Sequence, residues 1–250
     1  MSSGRGAISG LMFLLFIQGC VYSPPIRGTH YGAPGRLKAG RLELSGASGM
    51  VISDGTNAVD EPRLFYGGPG LALALNDWLQ LEAGGELSQL GGSFKGKDVK
   101  VKENFWAQGY LGARFTARWA GRYASSAADL ELGFGLGAGG RDASEENEPG
   151  WDEHFTFGAY AGAGVGIDVS WFSVFVRARL QESKAYAVPA TLWGSGVLGL
   201  QARMFDKVSL HAAIGLAGYR NSDEWAHGGI FEIGLAIDMQ ILDVPDRSSP

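Results

Sequence analysis

The clearest pattern in this chain is an alternation of apolar residues with polar or small ones that runs through most of its length. In the segment 231–241 all six odd-numbered positions are apolar, and all five even-numbered positions are polar or small. One face of a β-strand recurs at every second residue, whereas one face of a helix recurs at about every third or fourth. The same alternation occurs at 128–138, 172–181 and 208–217, so these segments are predicted to be strands with two different faces.

Ten segments of this kind follow one another, and the connections between them alternate between short and long. The strands are predicted at residues 36–49, 63–75, 78–90, 101–116, 127–140, 154–167, 171–182, 191–204, 207–219 and 228–242. An even number of antiparallel strands, with short turns at one end and long polar loops at the other, is typical of a bacterial outer-membrane barrel. The predicted fold class is therefore all-β, an up-and-down antiparallel transmembrane β-barrel of about ten strands, with eight as the alternative count.

Alternation alone leaves open which way the apolar face points. A soluble lipocalin-like barrel turns it inward around an apolar ligand, whereas a membrane barrel turns it toward lipid. The polar face carries scarcely any lysine, which makes it a poor coat against water. Tryptophans lie near strand ends, as Trp78, Trp171 and Trp193 do, which suits an aromatic girdle at a membrane interface. Both features favour the membrane barrel.

Glycine is the most unusual feature of the composition, with 40 among 250 residues, more than twice the usual share. The stretch LELGFGLGAGG at 130–140 contains Gly135-x-Gly137-x-x-Gly140, which matches a dinucleotide-binding fingerprint. That fingerprint needs a helix next, but an acidic loop and another alternating segment follow. The glycines also recur at every second position, so they are predicted to face the lumen and make room for large side chains.

With the apolar face outward, the charged residues of the strands point into the lumen. The predicted lumen charge network consists of Arg114, Arg177, Arg179, Arg203, Glu82, Asp129, Glu131, Glu232 and Asp238. Buried charges are costly unless they are paired, so these side chains are expected to form ion pairs. About eight strands enclose a space that side chains just fill. A barrel of ten strands is therefore expected to be plugged or very narrow.

The N-terminus, MSSGRGAISGLMFLLFIQGC, resembles the signal peptide of a bacterial lipoprotein. Arg5 precedes an apolar run of eleven residues, which is shorter than the ~20 residues of a membrane-spanning helix. The ending IQGC resembles a lipobox and implies lipidation of Cys20; the alternative is ordinary cleavage beside an incidental cysteine. The predicted organisation is a signal peptide at 1–19, a lipidated flexible tether at 20–35, the barrel at 36–242 and a tail at 243–250.

Charge and cysteine content exclude several functions. Removal of residues 1–19 takes away one arginine and leaves 20 basic against 26 acidic residues, a net charge of −6, which disfavours nucleic acid as a partner. Cys20 is the only cysteine, so no internal disulfide forms, and the scattered histidines make no zinc or iron motif. No metal or other cofactor is predicted. The acidic loop 141–154 is interpreted as a solvated surface loop rather than a calcium site.

One catalytic arrangement can be drawn from the sequence. His211 and Ser209 share the inner face of one strand, and a base and a nucleophile could be assembled from them. Lipase and deacylase motifs are absent from the sequence, however. His211 is therefore predicted to be a hydrogen-bonded lumen residue, and no catalytic residue is assigned.

Residues 36–242 resemble small bacterial outer-membrane β-barrel proteins, the group that includes opacity-type porin-like proteins and the transmembrane domain of the major outer-membrane protein A. The resemblance lies in the architecture. It departs from the group in the ending DVPDRSSP, where many such chains end on an aromatic residue, and in the lipobox.

The resemblance implies a non-enzymatic, monomeric protein of the bacterial outer membrane, structural or a narrow pore, with exposed surface loops. Its partners would be outer-membrane lipid and the barrel-assembly machinery. Because ten is an even number of strands, both termini are expected on the periplasmic side. Two alternatives stay open. One is a lipid-anchored soluble lipocalin-like barrel that binds an apolar ligand, and the other is a lipid-modifying outer-membrane barrel enzyme.

Overall fold

A computed structural model describes residues 25–35, 37–53, 59–94, 100–142, 151–169, 171–185, 190–205, 207–221 and 224–241. Ten strands account for most of these residues. They are β1 (Arg41–Ser53), β2 (Val59–Ala74), β3 (Leu79–Phe94), β4 (Lys100–Ala120), β5 (Ser125–Asp142), β6 (Trp151–Val169), β7 (Phe172–Ala185), β8 (Thr191–Phe205), β9 (Val208–Asn221) and β10 (Glu224–Gln240). Within these ranges, no helix is long and apolar enough to cross a membrane.

The ten strands form one closed barrel, in which each strand pairs with the next along the chain and β1 also pairs with β10. The closing seam is continuous, from Arg41 opposite Gln240 to Ser53 opposite Gly228. Closure leaves no unpaired edge strand, so the backbone groups of the wall satisfy one another without water. The predicted fold class and the count of ten strands are confirmed.

The two faces of the wall separate by polarity as the alternation predicts. In β7 buried and more exposed positions alternate along the strand. Leu180 on the outer face is 55% exposed, whereas Arg177 on the inner face is fully buried. The prediction that the apolar face points outward is confirmed. The lipocalin-like alternative, which needs the apolar face inside, is wrong for this barrel.

Aromatic residues mark the end of the barrel that carries the short turns. Trp78, Trp119 and Trp171 lie there, and each is more than half exposed. Trp193 was expected in such a girdle, and this expectation is wrong, because its side chain points inward and is only 4% exposed. It packs against Tyr219, with 4.7 Å between ring centroids. Strand β8 carries apolar residues on both faces, so the alternation in the sequence does not show which way this side chain points.

The largest departure from the prediction is the chain before β1. Residues 25–35 and 37–40, here called the plug segment, fold back into the lumen, and β1 begins at Arg41 rather than at residue 36. Ile26 and Thr29 are fully buried there. The tether predicted at 20–35 is therefore wrong for residues 25–35. Residues 20–24, with Cys20, and the acidic loop at 143–150 lie outside the described residues.

The turn back into the barrel depends on glycine. Gly35 and Gly40 have φ angles of 68° and 75°, in the left-handed region that glycine adopts without strain. The amide of Gly40 donates to the carbonyl oxygen of Ala74 at 2.9 Å, which fixes the segment beside the wall. The plug segment thus leaves the lumen and joins β1 at the short-turn end of the barrel.

Candidate functional site

The backbone of the plug segment is bound by polar side chains of the wall. The Gln181 amide accepts from the N–H of Arg27 at 3.0 Å and donates to its carbonyl oxygen at 3.1 Å. The Glu86 carboxylate accepts from the N–H groups of Gly28 and Thr29 at 2.9 and 3.0 Å, and from the Thr29 hydroxyl at 2.9 Å. These contacts replace the water that a buried backbone would otherwise need.

The next plug residues are held in the same way by other strands. Glu232 of β10 accepts from the N–H of Tyr31 at 3.0 Å, and Gln201 of β8 accepts from the N–H of Ala33 at 2.9 Å. The Tyr31 hydroxyl lies 2.6 Å from the Ser195 hydroxyl. Contacts from opposite sides of the barrel therefore fix the path of the plug segment through the lumen.

Arg118 binds the plug segment where it leaves the lumen. Its Nε donates to the carbonyl oxygen of Gly35 at 2.7 Å, and its Nη2 donates to that of Leu37. Nη1 donates to the carbonyl oxygen of Asp77, in the turn between β2 and β3, at 2.9 Å. One guanidinium thus ties the exit of the plug segment to a short turn.

Six of the nine residues predicted as a charge network meet in one buried cluster. They are Glu82, Arg114, Asp129, Glu131, Arg177 and Arg179. Glu131 is at the centre, because its carboxylate lies 3.0 Å from Arg177 and 2.6 Å from Arg179. Arg114 bridges this carboxylate and Glu82, at 3.2 and 2.8 Å. Such pairing offsets the cost of taking the charges out of water.

The other three predicted residues lie apart from this cluster, each with its own partner. The pairs are Glu232 with His211 at 2.8 Å, Asp238 with Arg41 at 2.7 Å and Arg203 with Asp168 at 3.9 Å. The last pair is partly exposed at the short-turn end, where water weakens the interaction. The network of nine therefore divides into one central cluster and three separate pairs.

The cluster also contains a cation from the segment that is predicted to be a tether. Arg27 of the plug segment pairs with Glu82, and its Nη1 lies 3.6 Å from the Glu131 carboxylate. A signal for such a residue was present in the sequence. Five acidic residues outnumber the four arginines of the predicted network, and buried charges need partners. This surplus indicated that a further cation joins the network.

The lumen glycines receive large side chains, as predicted. A Cβ atom on Gly135 or on Gly158 would overlap the side chain of Ile26 in the plug segment, and one on Gly133 would overlap the Tyr160 ring. Strand β5 continues through Asp142, so the strand-to-helix turn of a dinucleotide site is not formed. The glycines at 133–137 therefore serve packing inside the barrel.

Little space remains beside the plug segment. A cavity of about 40 Å³ lies against Arg27 and His30 and extends to Glu43 and Gln80 near the short-turn end. A water molecule needs about 10–15 Å³ by this measure, so the cavity has room for roughly three. In the described part of the barrel the lumen is filled by its own chain.

The histidine and serine considered for catalysis do not form a nucleophile–base pair. His211 Nε2 lies 2.8 Å from Glu232, and the Ser209 hydroxyl accepts from Gln201 Nε2 at 3.1 Å. Both residues are buried inside the plugged lumen, away from the lipid face. His227 lies in β10, and its side chain is exposed. Among the described residues, no cluster of three or more potential ligands could hold a metal ion.

Comparison with known proteins finds likeness in fold. No protein-family model and no curated protein matches the sequence. An outer membrane channel from Pseudomonas putida F1 is similar over 84% of this chain and 100% of its own, at 12% identity and a TM-score of 0.44. The transport unit of the autotransporter AIDA-I from Escherichia coli is similar over 93% of this chain and 98% of its own, at 11% identity and a TM-score of 0.43.

A further similar structure is the N-terminal β-barrel domain of OprF from Pseudomonas aeruginosa. It covers 80% of this chain and 98% of its own, at 11% identity and a TM-score of 0.33.

Proposed function

We propose that this protein is a non-enzymatic barrel of the bacterial outer membrane whose lumen is closed by its own plug segment. The observation that carries the proposal is the polarity of the wall, with exposed large apolar side chains on all ten strands and paired charges inside. Monomeric soluble proteins rarely expose contiguous apolar patches beyond a few hundred Å². A continuous apolar belt of this kind fits contact with lipid.

The test of membrane location uses two measurements on the same preparation. The protein is expected in the outer-membrane fraction and in detergent extracts, and the folded form is expected to migrate differently from the boiled form on a gel. A protein without residues 1–20 that stays folded and soluble in the absence of detergent would contradict the proposal.

The proposal also includes the orientation of the barrel across the membrane. Barrels of this type have short periplasmic turns and longer extracellular loops, so the ends of β1 and β10 at Arg41 and Gln240 would face the periplasm. An epitope inserted within 143–150 should be accessible to antibody on intact cells. An epitope placed after residue 241 should be accessible in permeabilised cells and hidden in intact ones.

A structural role or a narrow, gated pore is the function that the plugged lumen supports best. In planar bilayers the protein should be closed most of the time, because the plug segment fills the barrel. An open, wide conductance in the wild-type protein would contradict this. For the enzyme alternative, the variants His211→Ala and His227→Ala should leave the lipid A profile of the cell unchanged.

Lipidation of Cys20 remains a prediction, and the plug segment limits how it can occur. Ile26 packs against Gly135, which lies ten residues from the short-turn end of β5. Ten residues of a tilted strand correspond to roughly 25 Å along the barrel axis. The six residues from Cys20 to Ile26 span at most about 20 Å. An inner-leaflet anchor would thus require the plug segment to leave the lumen. Palmitate labelling of the wild type, with Cys20→Ala as control, tests the modification.

A further inference from the structure

The side chain of Arg27 lies in a pocket of the lumen wall formed by Glu82, Tyr110, Glu131 and Tyr160, here called the Arg27 pocket. The guanidinium carbon is 4.8 Å from the centroid of the Tyr110 ring and 5.4 Å from that of Tyr160. Both distances lie within the range of cation–π attraction. The two rings are nearly perpendicular, at 86°, so they border the cation on two different sides.

Polar groups complete the Arg27 pocket. Nη1 of Arg27 donates to the Glu82 carboxylate and, at 3.3 Å, to the Tyr160 hydroxyl, and it lies 3.6 Å from the Glu131 carboxylate. A guanidinium offers donors in its plane and stacks on aromatic faces, whereas an ammonium is a compact, strongly hydrated point charge. The polar contacts all reach one nitrogen, Nη1, so the preference of the Arg27 pocket for a guanidinium over an ammonium ion rests on the two aromatic faces, on which a weakly hydrated planar cation can stack.

The charge of the surrounding wall also favours a cation at this position. Without Arg27, the buried residues of β3, β4, β5 and β7 comprise four acidic and three basic side chains, namely Glu82, Glu86, Asp129 and Glu131 against Arg114, Arg177 and Arg179. One negative charge is left over, and an uncompensated buried charge is strongly destabilising. Arg27 supplies the balancing charge from the plug segment.

Space for a solute adjoins the pocket. The cavity of about 40 Å³ touches Arg27, Glu82 and Tyr110 and extends to Glu43, two residues into β1. Loss of the Arg27 side chain would add its own volume to this cavity. A small cation entering from the short-turn end would then reach the pocket along it.

We propose that the Arg27 pocket is a binding site for small guanidinium cations, occupied in cis by Arg27. An external guanidinium takes that place when the Arg27 side chain is absent or withdrawn with the plug segment. The inference rests on the proposed function only in that the lumen must open to an aqueous compartment. The Arg27 side chain and the external guanidinium then compete for the same pocket. The side chain leaves the pocket only when the plug segment moves.

The experiment is chemical rescue of Arg27→Ala in the full-length protein, purified in detergent. The measured quantity is the temperature at which the folded gel band converts to the unfolded one. This temperature should fall in Arg27→Ala, and millimolar methylguanidinium should restore at least about half of the loss. The same concentration of methylammonium or of sodium chloride should restore clearly less, and wild type should not respond because its pocket is filled.

Two further variants separate pocket binding from a general effect on the barrel. Arg118→Ala also removes a guanidinium that binds the plug segment, but it leaves the Arg27 pocket intact and should not respond to methylguanidinium. Arg27→Ala with Tyr110→Leu lacks one aromatic face and should lose most of the rescue. Equal rescue by sodium chloride, or equal rescue of Arg118→Ala, would overturn the proposal.

The assay also decides the matter if Arg27→Ala folds poorly. In that case the readout is the fraction that refolds into detergent, which methylguanidinium should raise and methylammonium should not; no increase would overturn the proposal. Failure of the proposed function would appear separately, as absence of the wild-type protein from the outer-membrane fraction, since the rescue is measured in detergent.

Discussion

At the scale of single residues, small side chains inside the barrel are as important as charged ones. Gly133 and Gly112 lie beneath the Tyr160 ring, and Gly135 and Gly158 lie beneath Ile26. A larger residue at any of these places would occupy space that an inward side chain already fills. The high glycine content of the chain thus follows in part from packing a plug and several large rings into a lumen of ten strands.

Gly135→Leu is expected to impair assembly. A Cβ there would overlap Ile26 and lie 2.8 Å from the carbonyl oxygen of Gly109, and overpacking of this kind costs about 1–3 kcal/mol. The folded fraction on a gel of unboiled protein should fall. Gly196→Leu is the matched control, because a Cβ at Gly196 meets nothing within 4 Å. Ile26→Ala should partly restore Gly135→Leu, and normal folding of Gly135→Leu would contradict the packing argument.

At the scale of elements, the plug segment differs from the strands in what holds it. The strands pair through their own backbones, whereas the plug segment depends on side chains of the wall such as Glu86, Gln181 and Gln201. Its sequence shows no periodicity, so the pattern of residues 21–35 alone resembled a linker. Removal of a single wall side chain should therefore loosen the plug segment without opening the barrel.

Glu86→Gln is expected to release the plug segment. A glutamine can keep one oxygen toward Thr29, but it places an NH2 donor beside the N–H of Gly28, where Glu86 has an acceptor oxygen at 2.9 Å. A buried group left without a partner costs about 1–3 kcal/mol. Planar-bilayer recordings should show open events several-fold more often than in wild type, while the heat-shifted gel band persists. Glu182→Gln, on the exposed side of β7, is the control. Identical recordings for the two variants would argue against a role of Glu86 in closure.

At the scale of the whole molecule, the closed hydrogen-bonding of the barrel wall and the apolar outer face depend on each other. A closed barrel satisfies every backbone group within the wall, which allows the outer face to meet lipid. The inner face then holds the polar residues that lipid would exclude, and they pair with one another or with the plug segment. The loss of stability caused by a charged residue on the outer face should therefore depend on how deep in the membrane that residue lies.

Leu132→Arg tests this dependence on depth. Leu132 is exposed near the middle of β5, where an arginine facing lipid costs about 2–4 kcal/mol. Ser126→Arg places the same charge on the same face near the short turn, where the cost is about 0–1 kcal/mol. Urea unfolding in lipid vesicles should show a large loss for the first variant and a small one for the second. Equal losses would contradict the placement of the membrane around the middle of the strands.

The sequence by itself determined the ten strands and the direction of their faces. Alternation reports the face of a residue within its own strand, because successive side chains point to opposite sides. Segments such as 128–138 and 208–217 therefore identify themselves without knowledge of their neighbours. The same rule placed Gly135, Arg177 and Glu131 inside the lumen. It did not resolve the orientation of Trp193, because both faces of β8 are apolar there.

Only the tertiary structure decided how the lumen is filled. The position of the plug segment depends on contacts between residues far apart in the chain, such as Arg27 with Glu82 and Tyr31 with Glu232. No local pattern predicts such contacts, because a sequence without periodicity is equally compatible with a solvated linker and with a segment bound inside the barrel. The surplus of acidic residues on the inner face shows that a cation is missing, and the closed barrel shows that Arg27 supplies it.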